Sequence, residues 1–255
     1  MDVSTLFVSH GSPMMVLEDT PARRFLLELG GRIGKPKAVL AVSAHWLTQV
    51  PTLGLAARPD KIDDMYGFPP ALYQMTYAPP GAPEVAARAA ELLGPDIRQD
   101  PGAGIDHGIW SVMSLMWPDA DVPVAPLSVQ PEAGARHHYD LGRRLRPLVE
   151  DGILILGTGA ATHNLGDYFR RPPNAPVDPA MVEFTGWMAA AVEAGRVEDL
   201  LDYRALAPHA AFAHPTEEHL LPLFTALGAA ATGQGTRLHH SLDAGALAMD
   251  AYGFR

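Results

Sequence analysis

Eleven histidines and no cysteine define the chemistry open to this 255-residue chain. Neutral imidazoles ligate zinc, iron, copper or nickel and exchange protons near neutral pH. Three of the histidines follow apolar runs. Residues 5–8 lead to Ser9-His10-Gly11-Ser12-Pro13, residues 38–44 lead to His45, and residues 153–156 pass through Gly157-Thr158-Gly159 to His163. A run that stops at a histidine and then turns reads as a buried strand delivering that residue to the carboxyl edge of a sheet, where open α/β sheets bind ligands. His10, His45 and either His163 or His219 are therefore the candidate ligands of one metal ion. Open positions on that ion are left for substrate, and the remaining histidines are left for proton transfer. His107 stands in Asp106-His107-Gly108, where Asp106 reads as a helix N-cap. The positive end of that helix favours a neutral ring.

Other chemistries lack their residues. No Gly-x-Ser-x-Gly elbow is present. Gly157-Thr158-Gly159 has neither the third glycine of a dinucleotide loop nor a following Gly-Lys-Ser/Thr. Its small residues are expected to let backbone approach a bound ligand closely. His214 and His219 flank Pro215-Thr216-Glu217-Glu218, which is not His-Glu-x-x-His, and Pro215 keeps the two off one helix face. His137 and His138 read as a solvated rim pair, and His239 and His240 as strand residues without a catalytic role. Two classes remain open on residue types alone: zinc-assisted hydrolysis, and non-haem iron oxygen chemistry on a metal-chelating catechol.

The elements that must position these residues alternate. Strands are expected at 5–8, 38–43, 122–129 and 153–156, the third as an edge because of Pro123 and Pro126. Helices are expected at 20–29, stopped by Gly30-Gly31, and at 83–93, 109–116, 132–150, 178–194 and 217–230, the last capped by Thr216. Residues 236–242 and 246–252 read as a closing antiparallel pair. Residues 47–81 contain no clear helix and read as a long functional loop, a wall over the substrate. The pattern predicts an α/β fold: one domain over 1–255, a central mostly parallel or mixed sheet flanked by helices, and a metal site at the carboxyl edge of the strands.

Composition narrows the partners. The formal net charge of −10 argues against nucleic acid and anionic membranes. No run reaches the ~20 apolar residues of a membrane helix. A core strand begins within a few residues of the N-terminus, with no visible signal peptide, and the lack of cysteine suits the cytoplasm.

Five blocks together resemble a known family: His10-Gly11-Ser12-Pro13, Ser43-Ala44-His45-Trp46, Asp106-His107-Gly108, His163-Asn164, and His214-Pro215-Thr216-Glu217-Glu218-His219 with Leu220-Leu221-Pro222-Leu223. In this order they resemble the DOPA-type extradiol aromatic-ring-opening dioxygenases, relatives of the protocatechuate 4,5-dioxygenase catalytic subunit. The resemblance implies Fe(II), O2 and a small catechol (DOPA, caffeate or protocatechuate-like) cleaved beside its hydroxyls to a muconic semialdehyde. It implies metal binding by His10, His45 and His219, with His163 as a further ligand or proton shuttle and His107 as a second acid/base. Ser12, Trp46 and His214, in the same blocks, are expected on the substrate side. Where many iron oxygenases place a carboxylate ligand, His219 stands here, and an all-histidine site also suits Zn(II) as an occupant of purified protein. The alternatives are a zinc hydrolase on the same scaffold and a catechol-chelating protein without turnover.

Overall fold

The computed structural model describes residues 3–172 and 175–255. Its strands are β1 (Thr5–Ser9), β2 (Ala38–Leu47), β3 (Thr52–Gly54), β4 (Arg98–Asp100), β5 (Val124–Val129), β6 (Ile153–Gly159), β7 (Gly235–His239), β8 (Leu242–Asp243), β9 (Leu247–Ala248) and β10 (Ala251–Phe254). Eight form one sheet in the order β4-β3-β5-β2-β6-β1-β10-β7, while β8 and β9 pair apart from it. The inner four, β5, β2, β6 and β1, are parallel. Antiparallel pairings of β10 and β7 on one flank and of β3 on the other make the sheet mixed.

Alternation along the inner strands explains why they are apolar at nearly every residue. Phe7, Leu40, Val42, Leu127 and Ile155 point into one core, which is shared with the helices Pro83–Leu93, Gly134–Glu150, Pro179–Glu193 and Leu221–Ala229. Leu6, Val8, Val39, Ala41, Leu154 and Leu156 point into the other, shared with Pro21–Ile33 and His107–Met116. With both faces covered, the free approach to the strand ends is along the sheet edge. Among the described residues, no helix is long and apolar enough to cross a membrane.

Four expectations are corrected. The first helix runs through Gly30-Gly31 to Ile33 and stops at Gly34, whose φ is +81°. Gly30 is a packing residue: a Cβ there would lie 1.9 Å from the Met116 carbonyl of the adjacent helix. β5 is an interior strand despite its prolines. Its pairing with β3 is reduced to Leu53 opposite Leu127, and the Pro126 ring fills the space over Gly54. The last long helix starts at Leu221 rather than Glu217, with Pro222 in its first turn, and the Thr216 hydroxyl bonds the Glu218 carboxylate instead of capping. The stretch 47–81 holds β3 and one helical turn, Pro70–Tyr73.

Candidate metal centre and active site

β1, β2 and β6 all end at the same edge, and each delivers its histidine there. His10 follows β1, and its backbone N–H still bonds the Gly159 carbonyl of β6 at 2.9 Å. His45 lies within β2, where the strand leaves its neighbours. Pairing with β6 ends at Ser43, and the register with β5 slips between Val42 and Leu47. The Ser43 hydroxyl accepts the freed His45 N–H at 3.2 Å and donates to Asp106 at 2.6 Å. His219 comes from the turn before Leu221–Ala229, and its carbonyl accepts the Ala160 N–H at 2.9 Å.

This seat explains the Gly-Thr-Gly motif. A Cβ at Gly159 would lie 2.0 Å from the His219 carbonyl oxygen, and one at Gly157 2.3 Å from that of Pro222. The glycines admit the backbone that carries His219, not the backbone of a ligand-binding loop, which corrects the expectation.

Ligand atoms of His10, His45 and His219 lie within 4.8 Å of one another. Their hydrogen bonds define the tautomers. Thr158 Oγ1 is 2.7 Å from the Gly108 carbonyl, which can only accept, so the hydroxyl proton goes there. Thr158 must then accept from His10 Nδ1 at 3.0 Å, which leaves a lone pair on His10 Nε2. His219 Nδ1 donates to Glu218 at 3.1 Å, and its buried Nε2 has no partner. His45 Nδ1 faces the Asp64 carboxylate at 3.5 Å, and its Nε2 is 3.0 Å from His10 Nε2. With each Nδ1–H directed at an oxygen, three imidazole lone pairs converge. Such an arrangement is repulsive unless a cation is shared, and the donor set fits a divalent transition metal.

His107 opens the helix His107–Met116, capped as expected by Asp106, whose carboxylate accepts the Ile109 N–H at 3.3 Å. His107 is not grouped with the three convergent histidines; it gathers with His45 and Asp64, its ring 3.9 Å from that of His45. His163 gathers with Glu218 and His219, and its ring lies flat on His219 at 3.3 Å. His214 is wholly buried, donating Nε2–H to the Ala161 carbonyl at 2.9 Å, with its ring against Phe184 and Tyr203. Ser12 accepts the Met14 N–H at 3.2 Å and lines a cavity of about 150 Å³ with Glu18, Ser241, Asp243 and Met249. Trp46 is half-buried near the end of β2.

Residues 4–253 match the family described as the catalytic LigB subunit of aromatic ring-opening dioxygenase. The chain belongs to this family. It is 40% identical to a 4,5-DOPA dioxygenase extradiol of Beta vulgaris, over 98% of this chain and 96% of that one. It is 38% identical to one of Escherichia coli K12, over 88% and 84%. The crystal structure of an uncharacterised Escherichia coli K12 protein superposes with a TM-score of 0.83 at 32% identity, covering 98% of this chain and 99% of that one. The chain is thus an extradiol ring-cleaving dioxygenase.

The ring-opening dioxygenase keeps its three convergent histidines uncharged. Burial, followed by the neighbouring histidines, holds His10 well below the usual histidine range and His45 at about 2. Burial, then His219, brings His163 to about 3. Burial alone would raise Glu218 and Asp64. The hydrogen bond from His219 holds Glu218 at about 2, and those from His107 hold Asp64 at about 2. Asp106 is pushed up to about 6 by burial. Neutral imidazoles backed by ionised carboxylates are what cation binding requires.

Several of the dioxygenase's site residues carry no sequence signal of their own. Asp64 sits in the non-repetitive stretch after β2, Thr158 stands between two glycines, and Ser43 and Glu218 are single polar residues one or two positions from a histidine. Gly108 is needed because a Cβ there would meet Ser43 Oγ at 2.9 Å, Asp106 at 3.0 Å and His10 Nδ1 at 3.1 Å. His138 is fully buried rather than on a rim. Its Nδ1–H bonds the Gly134 carbonyl at 2.7 Å, and its Nε2 accepts the Gln130 N–H at 3.2 Å.

Proposed function

We propose that this dioxygenase is Fe(II)-dependent and opens a small catechol of the DOPA, caffeate or protocatechuate type with O2, giving a muconic semialdehyde. The convergence of the His10, His45 and His219 Nε2 lone pairs carries the reading. When bound there, Fe(II) supplies the open coordination positions and redox activity that joining O2 to a catechol requires. The names of the relatives, which specify 4,5-DOPA, support the substrate class.

The residues around the ligands supply proton handling. His107 gives its Nδ1–H to Asp64 at 2.9 Å, so its Nε2 is the free acceptor, suited to taking a proton from a catechol hydroxyl. His163, kept neutral by burial and stacked on His219, is suited to holding a proton and returning it as the ring opens. The net change balances: catechol plus O2 becomes the semialdehyde, with both oxygens retained and no proton left over.

Anaerobic loading with Fe(II), then addition of L-DOPA, caffeate or protocatechuate in aerated buffer, should yield a yellow product and consume equimolar O2. Zinc-loaded protein should do neither. Iron-loaded protein that consumes no catechol of any substitution overturns the reading.

A further inference from the structure

Asp64 touches two of the histidines at once. Its Oδ1 accepts both the backbone N–H of His107 at 3.0 Å and the His107 Nδ1–H at 2.9 Å. Its Oδ2 stands 3.5 Å from His45 Nδ1. An ionised carboxylate only accepts, so each ring nitrogen turned toward it must carry a hydrogen. The Nε2 of His45 is then free to bind a cation, and the Nε2 of His107 is free to take a proton.

The chain invests in holding this carboxylate still. Lys61 bridges Ile105 in parallel register, with the Ile105 N–H on the Asp60 carbonyl at 2.8 Å and the Ile62 N–H on the Ile105 carbonyl at 2.9 Å. The Trp110 indole N–H bonds the Ile62 carbonyl at 3.0 Å. Gly104 permits the approach, since a Cβ there would lie 2.4 Å from the Asp60 carbonyl oxygen. The segment carrying Asp64 is thus tied to the strand-helix junction that carries His107. The stretch read from sequence as a wall reaches into the site.

We propose that Asp64 is the positioning carboxylate of this enzyme, a single side chain that sets the metal-facing tautomer of His45 and the proton-accepting tautomer of His107 together. It couples cation affinity to acid/base readiness. The proposal rests on the reading of His45 as a ligand and His107 as a base.

The coupling predicts a split that a merely structural residue would not produce. In Asp64→Asn, the two His107 donors retain the amide oxygen, so the amide NH2 turns to His45 and meets its Nδ1–H. The His45 hydrogen moves to Nε2, the atom meant for the cation. Zn(II) affinity, read by chelator competition, should fall about 10–100-fold, while His107 stays an Nδ1–H tautomer by imidazole 15N NMR. In Asp64→Ala both should change: Zn(II) affinity falls and His107 shifts toward the Nε2–H tautomer. With Fe(II) saturating, kcat should drop about 100-fold or more with little change in KM. Zn(II) binding by Asp64→Asn equal to wild type overturns the proposal, as does an unchanged His107 tautomer in Asp64→Ala. Should the alanine variant fail to fold, the near-isosteric asparagine variant decides alone through its Zn(II) affinity. Neither binding nor NMR uses a catechol. A wild type that binds metal but cleaves no ring therefore overturns only the proposed function.

Discussion

The Thr158 hydroxyl lies 3.0 Å from His10 Nδ1 and gives its proton to the Gly108 carbonyl 2.7 Å away, so a strand residue on β6 sets the tautomer of a histidine that follows β1. Thr158→Val keeps the shape and removes the acceptor. The buried Nδ1–H is then stranded, at a cost of about 1–3 kcal/mol, and the ring relieves it by moving hydrogen to Nε2. Zn(II) affinity should fall about 10–100-fold in the valine variant and stay near wild type in Thr158→Ser. Chelator competition on both checks this. Equal binding by the valine variant would remove Thr158 from the argument.

Gly159→Ala tests the seat of His219. Its Cβ would lie 2.0 Å from the His219 carbonyl oxygen, and the obstacle is backbone, which cannot rotate aside. The Ala160–His219 hydrogen bond at 2.9 Å must lengthen, and the ligand moves with it. The expected cost is about 1–3 kcal/mol or more, together with loss of tight metal binding. Gly186→Ala is the control, because Gly186 is exposed inside the helix Pro179–Glu193 with nothing within 4 Å of an added Cβ. It should gain up to about 1 kcal/mol. Urea unfolding of the pair gives opposite signs on this account, and two changes of the same sign would refute it.

These contacts show where sequence reading stops. His10, His45 and His163 were legible because strand alternation and turn residues are local, and local patterns survive in one dimension. The inner sheet followed from the same rule. Gly30, Gly157 and Gly159 are not legible, because the reason for each is a backbone atom far away in sequence, while a glycine by itself looks like a helix stop or a ligand loop. Pro126 likewise signalled an edge that tertiary pairing did not honour. Asp64 was unreadable: it is set by a bridge to Ile105, 41 positions on from itself, and nothing in its own neighbourhood has a period. His138 looked like a rim residue because its partners, Gln130 and Gly134, are backbone groups that every sequence has.

The ligand and proton-transfer roles should separate experimentally. His10→Ala, His45→Ala and His219→Ala each remove a convergent Nε2 and should lose bound metal. His107→Ala and His163→Ala leave those three nitrogens in place and should retain it, while kcat with a catechol falls about 10²–10⁴-fold. Metal analysis after dialysis, alongside kcat at saturating Fe(II), gives both columns. Loss of metal from His163→Ala would make His163 a ligand, since its ring stacks on His219 at 3.3 Å.

His138 gives a pH prediction remote from the metal centre. Burial lowers it to about 4, and its Nε2 already accepts a backbone N–H, so a proton there has no place to go. The folded state therefore binds this proton more weakly than the unfolded chain, whose histidine titrates near 6.5. The sign follows: between pH 6.5 and 4 the unfolded state holds more protons, and stability rises with pH across that window. Acidifying from pH 7.5 to 4 should cost up to about 3 kcal/mol through this residue. His138→Gln does not titrate. It should be less stable at pH 7.5, because it matches the two hydrogen bonds less well, and it should lose less stability than wild type on acidification. Urea unfolding of metal-free wild type and variant at pH 7.5, 5.5 and 4.5 measures the difference in slope, from which the other buried histidines cancel. Identical slopes would mean that His138 is not held neutral by its burial.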